Sequence, residues 1–310
     1  KFLKVLLTVV IIIAVIAAFV AAANLICLKS SENFISSIKT VDTDGLTPEL
    51  DSDGYYTFTT DKDFKVVQLT DVHIGAGFLS SKKDSMSINA VEAMVRAEKP
   101  DLVIVTGDIA FPVPYKAGTL NNKNPSKIFA DLMEQMGVYW CVAFGNHDTE
   151  TYSYYDREQI GDFYSNKEKY PHCLFQKGPE DVDGVGNYLI KVKNSKGEIT
   201  NSFVMLDSGS YVDGDVFGIL WKYDCVHKNQ VDWYESQINL LTEENNGTVP
   251  PSLMFFHIPP LEMKDAYYAY KDNGFNDTDR VQYLYGKAGE KGAAICTSEY
   301  NYGLFDKVKE

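Results

Sequence analysis

The stretch YWCVAFGNHDTE, residues 139–150, places an apolar run directly before a polar turn that contains a histidine. Gly, Asn and Asp are ordinary turn residues, but a turn has no need of His147. Three other apolar runs end in acidic or histidine residues: VVQLT before Asp71-Val72-His73, LVIVT before Gly107-Asp108, and LMFF before His257. The chain therefore repeats one arrangement, a strand pattern that ends in side chains able to bind metals or protons.

Apolar runs alternate with amphipathic patterns along the chain, which predicts a sheet covered by helices. The predicted strands lie at 64–70, 102–105, 139–144, 188–192, 202–206 and 253–257, and the predicted helices at 87–98, 125–136, 156–163 and 230–241. In open α/β sheets, ligands bind outside the carboxyl ends of the strands. We therefore expect the four polar clusters to converge although they lie far apart in sequence.

The residue types in these clusters indicate the kind of ligand. Asp, His and Asn supply mixed oxygen and nitrogen donors, which suit Mn, Fe or Zn. A carboxylate such as that of Asp108 can bridge two ions about 3.5–4 Å apart, an arrangement that stabilises the attacking and leaving oxygens in phosphoryl displacement. Each cluster alone also fits turn or capping chemistry. Their occurrence together, each after an apolar run, predicts a metal site.

The order D-x-H, G-D, G-N-H-D and a lone His after a strand resembles the calcineurin-like metallophosphoesterase superfamily. The resemblance covers about residues 60–310 and is to the single-domain branch related to purple acid phosphatases. GVGNY at 184–188, LDSGSY at 206–211 and QVDWY at 230–234 agree with it, and we interpret them as scaffold. The implied fold class is α/β (α+β), with two packed mixed β-sheets flanked by helices in a four-layer sandwich.

The resemblance also implies which residues bind metal. Asp71 and His73 would bind the first of two divalent ions, and Asp108 would bridge the pair. Asn146 and His257 would bind the second ion. The family's last motif, G-H-x-H, does not occur among the 310 residues, so we expect the natural C-terminus to lie beyond the sequence given.

The implied function is a metal-dependent phosphoesterase in which a metal-bridging hydroxide attacks the phosphate ester. His147 would contact the substrate phosphate and protonate the leaving group, and Asp148 would orient His147. Two alternatives remain open: phosphodiesterase or nucleotide pyrophosphatase activity in the same site, and a non-catalytic phosphate- or metal-binding surface protein. Purple acid phosphatases place an iron-binding tyrosine where this chain has Phe111. We therefore expect Mn, Zn or Fe(II) and no ferric–tyrosinate centre.

The N-terminal residues indicate a membrane segment. From Val5 to Ala23 only Thr8 is polar, and nineteen helical residues span roughly 28 Å, close to the hydrocarbon core of a bilayer. We expect residues 1–28 to form a transmembrane anchor or signal peptide, 29–54 a linker, and 55–310 the phosphoesterase domain. Lys1 and Lys4 before the apolar run predict a single-pass protein of the cell membrane with the catalytic domain outside the cytoplasm, and the alternative is a secreted protein.

The overall charge narrows the range of partners. The formal net charge is −14, which disfavours general nucleic-acid binding because an acidic surface repels the phosphate backbone. A phosphorylated small molecule or another phosphoester remains the expected substrate, since bound cations can invert the local field. The N-terminal helix adds the membrane as a second expected partner.

Overall fold

The computed structural model describes residues 1–215, 218–285 and 295–310. The strands in these ranges are β1 (Glu49–Leu50), β2 (Tyr56–Thr59), β3 (Val66–Leu69), β4 (Leu102–Thr106), β5 (Trp140–Ala143), β6 (Tyr188–Lys193), β7 (Ile199–Met205) and β8 (Ser252–Phe255). The helices are α1 (Phe2–Ser37), α2 (Ser81–Glu98), α3 (Pro114–Ala117), α4 (Lys123–Met136), α5 (Arg157–Tyr164), α6 (Lys228–Glu244), α7 (Leu261–Asp272) and α8 (Leu304–Lys309).

The chain divides into two compact units. The first unit consists of Lys1–Gly45, Phe64–Cys141 and His147–Phe175. The second unit consists of Leu46–Asp63, Val142–Asn146 and Gln176–Glu310. One boundary between the units falls inside the G-N-H-D cluster, because Asn146 and His147 are consecutive and belong to different units.

In the first unit, β3 and β4 form the parallel pair that places the first two polar clusters. The three-stranded sheet has the order β3-β4-β5, and Val66 lies opposite Leu102 while Leu69 lies opposite Val105. Every residue of β4 and β5 is buried, which explains why both strands are apolar without alternation. Because parallel strands need a crossover connection, α2 follows β3 and α4 follows β4.

The second unit contains a five-stranded mixed sheet with the order β1-β2-β6-β7-β8. The pairs β2–β6 and β7–β8 are parallel, whereas β1–β2 and β6–β7 are antiparallel. Apolar residues of β6, β7 and α6 share one core, among them Leu189, Val204 and Trp233, so α6 packs against this sheet. The two sheets and their flanking helices confirm the predicted α/β class. Strands β1 and β2 had no prediction, since two and four residues carry too little periodicity.

Helix α1 is the one helix in the described residues that is long and apolar enough to cross a membrane, judged by length and composition. It has 36 residues, and none of its most apolar 18-residue window is buried. The structure therefore has an N-terminal apolar helix of the membrane-span or signal type, as predicted.

The assignment of residues 29–54 to a linker differs from the structure over its first half. Helix α1 continues to Ser37, and Ile35 and Val41 are buried in the first unit. Glu32 pairs with Lys127 of α4 at 2.8 Å, and the Gln135 side chain donates to the Ile38 carbonyl at 2.8 Å. Ser, Thr, Asp and Gly with little periodicity suggested a tether, but the start of this segment is helical and is joined to α4 by these polar contacts.

Lys191, on β6, is a buried cation that pairs with carboxylates of the second unit. Its side chain is 1% exposed and its Nζ lies 2.5 Å from Asp51 and 2.8 Å from Glu244. Burial lowers the pKa of Lys191, but its hydrogen bonds to the two carboxylates outweigh burial and the net shift is upward. The pKa values of Asp51 and Glu244 are raised by burial and lowered more by their bonds to the lysine, so their net shift is downward.

We expect Lys191→Ala to destabilise the protein by about 2 kcal/mol, because it takes this cation from the partly buried Asp51 carboxylate and leaves Glu244 with Lys193. The matched control is Lys193→Ala, which removes a neighbouring lysine that bonds the same Glu244 from a more exposed position. Thermal unfolding of the complete protein in detergent measures both variants. Equal midpoints for Lys191→Ala and Lys193→Ala would show that the buried lysine contributes no more than a surface one.

The same ion pairs predict the pH dependence of this stabilisation. A carboxyl whose pKa is lowered in the folded state stabilises it above the ordinary carboxyl pKa of about 4, and this stabilisation is lost as the pH falls through the lowered value. We therefore expect the gap in unfolding midpoint between the natural protein and Lys191→Ala to be constant near neutral pH and to shrink below about pH 4. A gap that persists unchanged in acid would exclude the carboxylates as the origin of the effect.

Candidate metal centre

The loops that follow β3 and β4 run side by side and bring the first two polar clusters together. The Asp71 backbone N–H donates to the Gly107 carbonyl at 3.1 Å, and the His73 N–H donates to the Asp108 carbonyl at 2.9 Å. Ile74 then forms a parallel bridge with Ala110. The parallel register of the strands thus continues past their ends and places the D-x-H and G-D side chains opposite each other.

Three of the predicted metal ligands have a backbone conformation that side-chain-bearing residues rarely adopt. The φ angles of Asp71, His73 and Asp108 are 54°, 52° and 56°, in the left-handed region. Asp and His tolerate this region better than most residues, yet each instance costs of order 1–3 kcal/mol and is maintained by its surroundings. Such outliers cluster at functional sites, and here all three turn their side chains toward one point.

The first ligand cluster consists of Asp71, His73, Asp108 and His147. His73 Nε2 lies 3.5 Å from Asp71 Oδ1 and 3.3 Å from Asp108 Oδ2. One ligand atom from each of His73, Asp108 and His147 lies within 4.8 Å of the other two. Adjacent ligands around an ion with bonds of about 2.0–2.2 Å are separated by about 3 Å, so these residues fit a divalent ion in both donor type and spacing.

An aromatic ring forms one wall of this cluster. The Phe111 ring stacks on the His73 imidazole with centroids 4.6 Å apart, and it meets the His147 imidazole edge-on at 4.7 Å. The ring restricts the orientation of both histidines and supplies no oxygen ligand.

Asp148 is a buried acceptor for the backbone of the G-D turn. Its two carboxylate oxygens accept the backbone N–H groups of Asp108 and Ala110, each at 2.9 Å, and the residue is 1% exposed. The Asp108 carboxylate in turn accepts the His147 N–H at 2.8 Å. Asp148 therefore holds the G-D turn in its left-handed conformation.

The carboxylate that contacts the His147 ring is that of Glu150. His147 Nδ1 lies 2.7 Å from Glu150 Oε1, and Glu150 is 6% exposed. Burial and the nearby charge of Glu150 raise the pKa of the Tyr152 hydroxyl well above its usual range, so this phenol remains protonated. The sequence offered one signal for Glu150, an acidic residue three positions after the histidine, but G-N-H-D drew attention to Asp148.

Asp84 supports the D-x-H loop from α2 and was also not predicted. Its carboxylate accepts the Gly75 and Ala76 N–H groups at 2.8 and 3.0 Å and the Ser80 hydroxyl at 2.7 Å. Burial raises the pKa of Asp84, and these hydrogen bonds oppose the rise. The loop that carries His73 is therefore fixed on both sides, by β4's loop and by α2.

In the second unit, the structure brings together Asn146 and His257. Asn146 Oδ1 lies 3.1 Å from His257 Nε2, a separation that also suits two ligands of one ion. The Asn146 amide donates to the Tyr211 hydroxyl at 2.8 Å, which directs the amide oxygen toward the histidine. Tyr211 belongs to LDSGSY, which the sequence suggested was scaffold only. Its hydroxyl is a positioning partner for a predicted ligand.

Comparison with known proteins gives several relatives of low identity. "Probable inactive purple acid phosphatase 14" of Arabidopsis thaliana is 28% identical over 281 residues, covering 82% of this chain and 64% of that protein. "Probable inactive purple acid phosphatase 28" of the same plant is 25% identical over 241 residues, covering 68% and 57%. "Phosphatase DCR2" of Saccharomyces cerevisiae is 27% identical over 220 residues, covering 65% and 35%. The chain spans less than two thirds of the length of these curated relatives.

The family model described as calcineurin-like phosphoesterase matches residues 64–287. This range contains every polar cluster described above, from Asp71 to His257, and most of the 310 residues. The ligand types, their places after the strands and this match agree with one another. The chain belongs to the calcineurin-like phosphoesterase family.

Proposed function

We propose that this protein is a metal-dependent phosphoesterase that hydrolyses phosphate esters. The observation that carries the proposal is the first ligand cluster, in which three left-handed residues aim two carboxylates and an imidazole at one point. Three such strained residues in one group of metal-binding side chains favour a functional site over an ordinary turn.

Two divalent ions, Mn, Zn or Fe, are the expected cofactors. Asp71 and His73 would hold the first ion and Asn146 with His257 the second, and the family resemblance gives Asp108 the bridging role. Bound ions of this kind polarise phosphoryl oxygens and lower the pKa of water to near neutrality. We expect a colourless protein, because Phe111 stands at the tyrosinate position.

The residues around the ligands have separate tasks in this proposal. Glu150 at Nδ1 of His147 fixes the ring, which leaves Nε2 to contact the substrate phosphate and donate a proton to the leaving group. Asp148 acts as a positioning residue through the backbone of Asp108. The sequence suggested that Asp148 orients His147, and this proposal adds Glu150 as a carboxylate at the His147 ring.

Two other functions compete with phosphomonoester hydrolysis. Phosphodiesterase or nucleotide pyrophosphatase activity would use the same ligands. A non-catalytic phosphate- or metal-binding protein is favoured by the names of the Arabidopsis relatives, which include the word inactive, while the yeast relative is named a phosphatase. Turnover of substrate separates these possibilities.

We further propose that α1 anchors the protein in the cell membrane as a single span with the catalytic domain outside the cytoplasm. The supporting observations are the apolar, unburied window of α1 and the lysines that precede it. Secretion after removal of the apolar segment is the alternative. The expected partners are a phosphoester substrate and the bilayer.

We expect Asp108→Asn to lose metal and hydrolytic activity together, because the amide removes a buried ligand charge. The measurement is hydrolysis of an aryl phosphate monoester and diester by the complete protein in detergent, with Mn, Zn and Fe(II) in turn. Metal content is determined on the same samples. Asp63→Asn, at an exposed loop position, is the matched control and should leave both quantities unchanged.

Two outcomes would count against this proposal. A folded protein that binds metal but hydrolyses neither ester would support the binding-only alternative. Equal activity of Asp108→Asn and the natural protein would show that the site lies elsewhere. A preference for the diester would favour the phosphodiesterase alternative.

The variants Asp148→Ala and Glu150→Gln test whether each carboxylate supports the folded site or the catalytic rate. Asp148→Ala leaves two buried N–H groups without an acceptor, so we expect a loss of about 2–4 kcal/mol in stability and weaker metal binding. Glu150→Gln keeps the size of the side chain, and we expect near-normal metal content with kcat lower by about tenfold or more and an altered acid limb of the pH–rate profile. If Asp148→Ala instead spares stability and changes only the pH profile, Asp148 has the role that the sequence suggested.

A further inference from the structure

Just after its apolar run, α1 is joined to two loops of the first unit by the side chain of Asn24. Asn24 directly follows the run Val5–Ala23. Its Oδ1 accepts the Phe78 N–H at 2.9 Å, and its Nδ2 donates to the Gly118 carbonyl at 2.9 Å. Both ends of the amide are therefore paired with backbone of the first unit. The apolar helix is fixed to this unit at the residue where it would leave the hydrocarbon.

The two loops that Asn24 holds are the loops of the first ligand cluster. Phe78 lies five residues after His73, so their Cα atoms are at most about 18 Å apart even for an extended chain. The second loop starts at Phe111, whose ring stacks on His73, and Lys116 Nζ lies 4.9 Å from the centre of that ring. The loops also bond each other, because the Leu79 N–H donates to the Ala117 carbonyl at 3.2 Å. The loops of the ligand cluster are thus hydrogen-bonded to each other and to the residue that ends the apolar run of α1.

The surface of these loops has the composition of a membrane interface. Leu79 is 53% exposed and Tyr115 is 78% exposed, and Lys82 and Lys116 stand beside them as exposed cations. We call these four residues the interfacial surface. Tyrosine and lysine are favoured at the headgroup level, where an apolar stem and a polar end are both solvated. Lysines at this position in a chain of net charge −14 favour contact with anionic headgroups.

We propose that the interfacial surface lies in the headgroup layer of the bilayer that α1 spans, and that the metal cluster hydrolyses phosphomonoesters carried by lipids of that bilayer. The inference rests on the proposed function and on the anchoring of α1. The headgroup layer is about 5–8 Å deep on each side of the hydrocarbon, and His73 lies at most about 18 Å from the Phe78 backbone that Asn24 binds, so the cluster is within reach of lipid headgroups. In the reaction, water attacks phosphorus and the P–O bond to the lipid breaks. The lipid alcohol takes a proton and remains in the membrane, and inorganic phosphate leaves.

The first test compares one phosphate chemistry from two sources. The complete protein is reconstituted into phosphatidylcholine vesicles and given long-chain phosphatidic acid in the same bilayer, dihexanoyl phosphatidic acid in solution, or an aryl phosphate in solution. We expect the bilayer substrate to be hydrolysed roughly tenfold or more faster than its soluble analogue at equal total concentration, because confinement to one surface raises its effective concentration.

The double variant Leu79→Asp, Tyr115→Asp tests the interfacial surface, since charges there oppose contact with the membrane. We expect it to lower hydrolysis of the bilayer substrate about tenfold and to leave aryl phosphate hydrolysis within about twofold, because neither side chain is a metal ligand. Leu240→Asp, on an exposed position of α6, is the matched control and should change neither rate.

A second measurement needs no activity. Tyr115→Trp places a fluorophore on the interfacial surface. The natural protein already has three tryptophans, so the emission of the new one is obtained by subtracting the spectrum of the natural protein. We expect nitroxide lipids labelled at the headgroup to quench this emission more than lipids labelled near the acyl-chain ends do. Absence of quenching would place the surface away from the bilayer and overturn the inference.

The outcomes distinguish the inference from the function on which it rests. Hydrolysis of the aryl phosphate without preference for the bilayer substrate, or equal loss of both activities in the double variant, overturns the inference and leaves the proposed function standing. Hydrolysis of none of the three substrates by metal-loaded protein overturns both. Preference for the bilayer substrate, lost selectively in the double variant, supports both.

Discussion

The pairing of two loops beyond the ends of β3 and β4 is the constraint on which the candidate site depends. Parallel strands end at the same edge, but the register continues only because Asp71 and His73 bond the backbone of the G-D turn. That turn is held by the two oxygens of Asp148. This buried carboxylate thus helps to maintain the unfavourable left-handed conformation of Asp108.

Rigidity near the ligands also extends outward to the apolar helix. Asp84 holds the Gly75–Ala76 backbone from α2, and Asn24 holds the next turn of the same loop from α1. The first part of the segment expected to be a linker, up to Ser37, is instead helix and is paired with α4 through Glu32 and Lys127. The helix that would enter the membrane and the loops that would bind metal are therefore parts of one braced structure within the first unit, which gives the membrane a defined place in the proposed chemistry.

Relatives named as inactive and a relative named as a phosphatase share this family, so membership alone does not decide activity. The groups around His147 bear more directly on it. The buried Glu150 carboxylate at Nδ1 holds the His147 ring in one orientation, which suits a histidine that acts on a bound substrate. The retention of this pair beside the ligands is an argument for catalysis made from the chain itself.

The amino-acid sequence by itself determined the fold class, the strands that carry the site and the chemical type of its ligands, because apolar runs and the polar residues that end them are local features. It did not determine which carboxylate meets His147: Asp148 is adjacent in sequence, yet the direction of the turn sends it to the Asp108 backbone and brings Glu150 to the ring. It also did not reveal the docking of α1, since the partners of Asn24 lie 54 and 94 residues away. Backbone direction and long-range packing, which only the tertiary structure settles, decided both.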